Sequence, residues 1–364
     1  MKKPVWAVIG GGNGGQAMAA HLGTMGFQVR IYDVKEENVE VINKQGGIQF
    51  EDGVVEGFGK VEFATMDMGK AVVGADMVVI VAPALYHKDI ATKMAPHLVD
   101  GQIVFIHPGA TCGSLEVRKV LDDEGCRADI VVGEAMSLLY AARSPRFGVA
   151  SILGIKEELM VAAMPSNKTK EMLEILNLAF PQMYAGENVL ETSFENLNCM
   201  VHPGPSLLNV AQIESGRDWK YYYDGITPSI GAYVEKMDAA RVELGKKYNL
   251  KLTNILDWYV KLYSAKGDTL TEAVRNTKAY ADISGQKTLR TRYILEDVPM
   301  SLVPLAELGK VAGIRQDMVE TMIDLGEFLM GEEFRKNGRN AAALGIEGMN
   351  VEDLLQYVTT GKKK

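Results

Sequence analysis

At 364 residues the chain exceeds what one ordinary hydrophobic core serves, and two domains are the expectation. An apolar content of 47 % with 24 % charged residues is that of a soluble globular protein, and the net charge of −8 excludes a nucleic-acid partner, because neutralising phosphates takes clustered Lys and Arg. No apolar stretch approaches the ~20 residues that span a bilayer, so no membrane partner is expected. The three cysteines, Cys112, Cys126 and Cys199, share no metal-ligand spacing. They fit reduced thiols, and no metal site is expected. With no charged leader ahead of the first apolar run, the protein reads as cytoplasmic. The terminal Lys362-Lys363-Lys364 reads as a solvated tail.

The apolar run Val5-Trp6-Ala7-Val8-Ile9 breaks into Gly10-Gly11-Gly12-Asn13-Gly14-Gly15, and helix-forming sequence follows from Gln16 to Leu22. Gly10, Gly12 and Gly15 thus satisfy G-x-G-x-x-G between a strand and a helix, the context that the motif needs. The first glycine permits the turn, the second lets the backbone approach a pyrophosphate, and the third lets helix pack on strand. Helix N–H groups then face the phosphates. A second strand, 27–32, ends in Asp33, where an acid accepts hydrogen bonds from the adenosine ribose. Gly10, Gly12, Asn13, Gly14, Gly15 and Asp33 are therefore candidate dinucleotide-binding residues. NAD(H) is expected over NADP(H), because a carboxylate repels the 2′-phosphate; Arg30 and Lys35 flank Asp33 and soften that preference.

Further along, 36–44 reads as a helix ending at Gly46-Gly47, and 48–50 as a short strand. Buried strands follow at 75–81, ending in Ala82-Pro83, at 102–106, ending in His107-Pro108, and at 129–134. Strands alternating with helices predict an α/β Rossmann fold with a doubly wound parallel sheet, whose ligand lies outside the carboxyl ends of the strands. Ala82, Pro83 and Pro108 join the cofactor-binding set, with His87 and His107 as its neighbours. After Arg143, 149–153 and 159–163 read as two added strands about a charged turn, then come a helix at 168–179 and a strand at 182–184. From Asn188 the chain reads as helical to its end. The domains are placed at 1–187, dinucleotide-binding, and 188–364, all-helical and substrate-binding.

Two stretches of the helical part carry unusual chemistry. In Asn198-Cys199-Met200-Val201-His202-Pro203-Gly204-Pro205, Asn198 and His202 share a helix face, and the prolines break the helix right after the histidine. In Arg290-Thr291-Arg292-Tyr293-Ile294-Leu295-Glu296-Asp297-Val298-Pro299, two arginines precede two acids and an apolar helical segment from Ser301. Blander readings stand beside these. Asp297 sits where a helix cap would, Arg292 is spaced for a surface pair with Glu296, and His202 could be a satisfied core histidine. The cluster Trp219, Tyr221, Tyr222 and Tyr223 reads as packing.

Together with V-I-G-G-G-N-G-G, His107-Pro108-Gly109-Ala110-Thr111, Gly225-Ile226-Thr227-Pro228-Ser229 and Leu302-Val303-Pro304-Leu305, these stretches resemble the opine dehydrogenase family of the octopine/nopaline type over nearly the whole chain. The resemblance implies an NAD(H)-dependent enzyme, acting on CH–NH groups, that reductively joins an α-keto acid such as pyruvate to the amino group of an amino acid, and runs the reverse oxidation. It implies His202 and Asp297 as the catalytic pair and Arg292 as the carboxylate holder; Asn198, on the face of His202, is a further substrate-binding candidate. The chemistry agrees: imine reduction needs a proton manager that titrates near neutrality, and two carboxylate substrates call for a guanidinium fork. Rival readings are a ketopantoate reductase- or glycerol-3-phosphate dehydrogenase-type enzyme, which would place a catalytic lysine in the helical domain, and a non-catalytic NAD-binding sensor. The partners are small molecules, and a homodimer is left open.

Overall fold

The structure, a computed structural model, describes residues 3–363, so Lys364 of the basic tail lies outside it. The chain divides into two compact units. One runs to Ser193 and takes back the C-terminal segment from Gln356; the other is Phe194–Leu355. This differs from a division at 187 that assigns everything beyond it to the second domain, although the described residues beyond 187 are helical as expected. The last segment returns to the first unit because Tyr357 and Val358 are buried there, Tyr357 lying beside Arg118 and Asp122 of the helix Gly113–Asp123.

Among the described residues the first unit has twelve strands: β1 Val5–Ile9, β2 Gln28–Tyr32, β3 Gly47–Phe50, β4 Phe58–Lys60, β5 Phe63–Thr65, β6 Met77–Ile80, β7 Ile103–Ile106, β8 Val131–Ala135, β9 Tyr140–Arg143, β10 Val149–Ile155, β11 Leu159–Met164 and β12 Met183–Ala185. Eight form one sheet in the order β12-β11-β8-β7-β6-β1-β2-β5. Its pairings are parallel except for β8 with β11. This is the doubly wound sheet expected. Its central strands are buried on both faces: Trp6 and Val8 enter one apolar cluster, while Val5, Ala7 and Ile9 enter the other. A side-chain period of two, with both faces covered, is why these strands read as continuous apolar runs.

The two added strands do not stay together. β11 joins the large sheet against β8, whereas β10 pairs with β3 and β9 in a separate sheet of order β4-β3-β10-β9. The pairing of β10 with β9 shifts register between Ile152 and Gly154.

The second unit is helical, with one isolated bridge, Lys220 to Ser284, as its only β pairing among the described residues. Its longest helix, Pro228–Lys247, starts on Thr227, whose hydroxyl accepts from the Ile230 amide, and has Pro in its first turn. Within it Asp238 and Arg241 form a buried ion pair at 2.8 Å. The guanidinium also donates to the Phe194 and Thr253 carbonyls, and Asp238 accepts from the Ile255 amide. That saturation is what permits a charge pair in the core. Among the described residues no helix is long and apolar enough to cross a membrane.

Candidate active site

In the first unit the three motif glycines do different work. Gly10 has φ +118°, and a Cβ there would lie 2.4 Å from the Val81 carbonyl oxygen. A Cβ on Gly15 would lie 1.7 Å from the Gly10 oxygen, so the helix Asn13–Thr24 packs down on the turn. Gly12 alone faces open space, with nothing within 4 Å. Bare backbone therefore fronts the N-terminus of a helix, the arrangement that receives a phosphate. Asn13 ties this loop to a distant segment, its side-chain oxygen accepting from the Ser144 amide at 2.9 Å.

Asp33 is buried at the end of β2. Asn38 donates to it at 2.5 Å and to the Gly11 carbonyl at 3.1 Å, locking acid and glycine loop together. Gln16 holds the same carbonyl at 3.0 Å while its own oxygen accepts from the Gly148 amide. Neither Asn38 nor Gln16 is legible as a site residue from the motif, because each acts through a backbone carbonyl. A recess of about 440 Å³ opens here, lined by Gly12, Asn13, Asp33, Lys35, Arg146 and Phe147 among others. Lys35 lies over the Phe147 ring and Arg146 pairs with Glu51. Arg30, expected to flank Asp33, is instead engaged by Glu62 at 2.9 Å and by the Val73 carbonyl. Open backbone at Gly12, a helix N-terminus and a fixed carboxylate make a set that fits a dinucleotide.

The turns after β6 and β7 are held from beneath. His87, fully buried, donates to the Ala82 carbonyl at 3.1 Å beside Pro83. His107 precedes Pro108 across a cis peptide, and its Nε2 accepts from the Leu139 amide at 3.0 Å. The ring proton therefore sits on Nδ1. Burial, with a lesser push from Lys156, takes its pKa down to about 3, so the ring stays neutral. Both histidines brace loops. Gly109 is required by Glu134, whose carboxyl carbon would stand 2.6 Å from a Cβ. Glu134 in turn accepts from the Ser114 amide, Thr192 and Ser193 at 2.7, 2.8 and 3.0 Å, and burial raises its pKa against those donors.

In the second unit His202 is the joint between the helices Asn198–Val201 and Pro203–Leu208. Its amide still donates to the Asn198 carbonyl, and Pro203, lacking an amide, begins the next helix. The ring's Nδ1 meets Asp297 Oδ2 at 2.8 Å, and both side chains are buried. Nδ1 therefore faces the carboxylate, and Nε2 makes no hydrogen bond among the described residues. The Tyr293 ring stacks on the imidazole at 3.8 Å between centroids and 5° between planes. Tyr221, which the sequence offers only as packing, donates its hydroxyl to the His202 carbonyl at 2.7 Å and so pins the helix break.

Asp297 caps no helix: its own backbone is helical and its carboxylate turns to His202 instead. It opens a π-helical turn, Val298–Leu302, that runs into the helix Val303–Val311. Such turns are frequent at functional sites. Arg292 begins the short helix Arg292–Leu295, is exposed, and forms no ion pair among the described residues, so the surface pair with Glu296 is not made. Its guanidinium carbon lies 5.8 Å from the Tyr293 ring centre. Arg290 is committed to Glu332 at 2.6 Å. Asn198 is exposed at the first position of its helix.

The model of the NAD/NADP octopine/nopaline dehydrogenase α-helical domain matches residues 185–330, and that of the NAD-dependent glycerol-3-phosphate dehydrogenase N-terminus matches residues 6–117. The chain is 38 % identical to the opine dehydrogenase of Arthrobacter sp. (strain 1C) across 98 % of this chain and 99 % of that one. The chain belongs to the opine dehydrogenase family. Octopine dehydrogenase of Pecten maximus is 23 % identical across 98 % of each chain. A structure of octopine dehydrogenase with NADH and L-arginine superposes with a TM-score of 0.83 over 99 % of each chain, at 20 % identity, and shares the fold. As an opine dehydrogenase the protein is an NAD-dependent oxidoreductase, and the family's reaction is the reductive condensation of an α-keto acid with an amino acid.

Proposed function

We propose that His202 and Asp297 handle the proton in that condensation, that Arg292 clamps a substrate carboxylate, that Asn198 also binds substrate, and that NADH is preferred to NADPH. The observation that carries the assignment is the buried 2.8 Å contact between His202 Nδ1 and Asp297. The carboxylate fixes the tautomer and stabilises the imidazolium, leaving Nε2 to give a proton to, or take one from, a carbinolamine oxygen or amine nitrogen. Stacking on Tyr293 holds the ring's plane, and the Tyr221 hydrogen bond holds its backbone. Arg292, exposed and unpaired among the described residues, keeps its planar fork for a two-point grip on a carboxylate. The residues Gly10, Gly12, Asn13, Gly14, Gly15 and Asp33 would hold NADH, with Ala82, Pro83 and Pro108 at the ends of neighbouring strands. The cofactor supplies the hydride. Asp33, kept in place by Asn38, supports NADH because it would oppose a 2′-phosphate.

Octopine dehydrogenase has been solved with pyruvate and with L-arginine, and pyruvate is the first keto acid to try here. The test is an NADH-oxidation screen of pyruvate against each amino acid. Turnover that needs both partners supports the reading. NADH binding without turnover across panels of keto acids and amines would support a sensor instead.

A further inference from the structure

The recess beside the glycine loop has a wall that the glycine motif does not encode. The loop 144–147 joins β9 to β10, and with Asp33 and Lys35 it lines that recess. Three hydrogen bonds tie the loop to the first turn of the helix Asn13–Thr24. Asn13 accepts from the Ser144 amide at 2.9 Å, Gln16 donates to the Ser144 hydroxyl at 2.8 Å, and the Gln16 oxygen accepts from the Gly148 amide at 2.9 Å. Arg146 therefore stands on the same recess as the carboxylate assigned to the adenosine ribose.

An arginine near that ribose is the group with which dinucleotide sites accommodate a 2′-phosphate. Here the arginine is present but occupied. Glu51 takes its guanidinium at two points, Nη1 to Oε2 at 2.8 Å and Nη2 to Oε1. Glu51 follows β3, and β10 sets its place: its amide donates to the Ala150 carbonyl at 3.0 Å, and its carbonyl accepts from the Ser151 hydroxyl at 2.5 Å. The small second sheet thus delivers a carboxylate to the fork of Arg146. The other cation, Lys35, lies over the Phe147 ring at 5.6 Å from its centre. With Asp33 and Glu51 set against Lys35 and Arg146, the charges around the recess cancel. A 2′-phosphate, bringing about −1.5 to −2 charges, meets no net attraction there.

We propose that Glu51 is a specificity-determining residue: by occupying the Arg146 fork it withholds a site for the 2′-phosphate of NADPH. This rests on the NADH preference proposed above and adds a second determinant to Asp33. Both side chains reach the surface, where an ion pair contributes little to stability. Releasing Arg146 should therefore leave the fold intact.

The experiment compares the full-length wild type with Glu51→Gln and with Glu51→Gln/Arg146→Met. Calorimetric Kd values for 2′,5′-ADP and 5′-AMP probe the adenosine end without turnover, and nicotinamide fluorescence gives those for NADPH and NADH. Glu51→Gln should tighten 2′,5′-ADP and NADPH roughly tenfold or more, as a charged two-point donor becomes available. Its Kd values for 5′-AMP and NADH should stay within about twofold of wild type. Adding Arg146→Met should return 2′,5′-ADP and NADPH to wild-type affinity. Melting curves check folding, and should Glu51→Gln not fold, Glu51→Ala carries the same comparison. An unchanged 2′,5′-ADP Kd in the folded variant, with a wild type that prefers NADH, would overturn the inference and leave the Asp33 reading standing. A gain that persists in the double variant would assign the effect to the lost negative charge alone, and overturn it too. A wild type that binds NADPH at least as tightly as NADH would remove the underlying preference, and this inference with it.

Discussion

Replacing Asp297 by Asn probes the proton pair with almost no change of shape. The carboxylate oxygen lies 2.8 Å from His202 Nδ1, which places the centres of the two charged groups roughly 4 Å apart. At an effective dielectric constant near 20 that attraction is about 4 kcal/mol. An amide keeps part of the hydrogen bond but none of the charge, so most of this support for the imidazolium is lost. Each 1.36 kcal/mol is a factor of ten in rate, and kcat should fall on the order of 10²–10³. The amide can also offer its NH₂ to Nδ1, which moves the ring proton to Nε2 and removes the base. The assay is steady-state NADH oxidation at saturating keto acid and amino acid, with NADH Kd measured by fluorescence as the control that should not move. His202→Ala should lose on the order of 10²–10⁴, and the double variant should lose little more than His202→Ala alone, because the two residues act as one unit. An Asp297→Asn enzyme within threefold of wild-type kcat would refute the reasoning.

Arg292→Lys keeps the charge but loses the planar fork, and should raise KM roughly tenfold for one acid only; equal behaviour with every substrate would sink the clamp. Asp33→Ala removes the acceptor that Asn38 positions, and the NADH-over-NADPH ratio of kcat/KM should drop about 10–100-fold, since hydrogen bonds to a charged group are worth about 1.5–3 kcal/mol. A preference for NADPH in the wild type would refute the cofactor assignment outright. Arg241→Met leaves Asp238 buried and unpaired, and should destabilise the protein by about 3–5 kcal/mol, visible in a calorimetric or dichroism melt. His107 has its pKa lowered from 6.5 to about 3 in the folded protein, so below pH 6.5 the unfolded chain takes up a proton that the native state refuses. Stability should therefore fall as the pH drops from 6.5 towards 3, by about 2 kcal/mol at pH 5 from this group. His107→Asn, still able to accept from Leu139, should flatten that loss; parallel Tm-against-pH curves for the two proteins would count against it.

Much of the fold was legible because its signals are local. The glycine loop, the acid at the end of β2 and the apolar runs of β1, β6, β7 and β8 lie in short contiguous stretches whose period matches a sheet covered on both faces. The small second sheet was not, because β4 has three residues and β10 pairs with β3, a partner a hundred residues away. The return of the last helix to the first unit is equally non-local. At the candidate site, the resemblance already offered His202 and Asp297 as a pair and Arg292 as a carboxylate holder, but the geometry was not legible. The bond between positions 202 and 297 is a tertiary fact, as are the stacking of Tyr293 and the hydrogen bond from Tyr221. Asn38 and Gln16 were invisible for a further reason: they serve the loop through its carbonyl oxygen, which leaves no mark in a pattern of side chains. Arg30 shows the converse, a charge adjacent in sequence that the strand turns towards Glu62.

The central claim is that this protein makes a secondary amine from a keto acid and an amino acid, rather than reducing the keto acid alone. The direct measurement is a mass spectrum of the product formed from pyruvate, NADH deuterated at the transferable position, and the amino acid that supports turnover. The account expects an N-(1-carboxyethyl) amino acid carrying one deuterium at the former carbonyl carbon, absent when the amino acid is left out. Deuterated lactate, formed whether or not the amino acid is present, would contradict it.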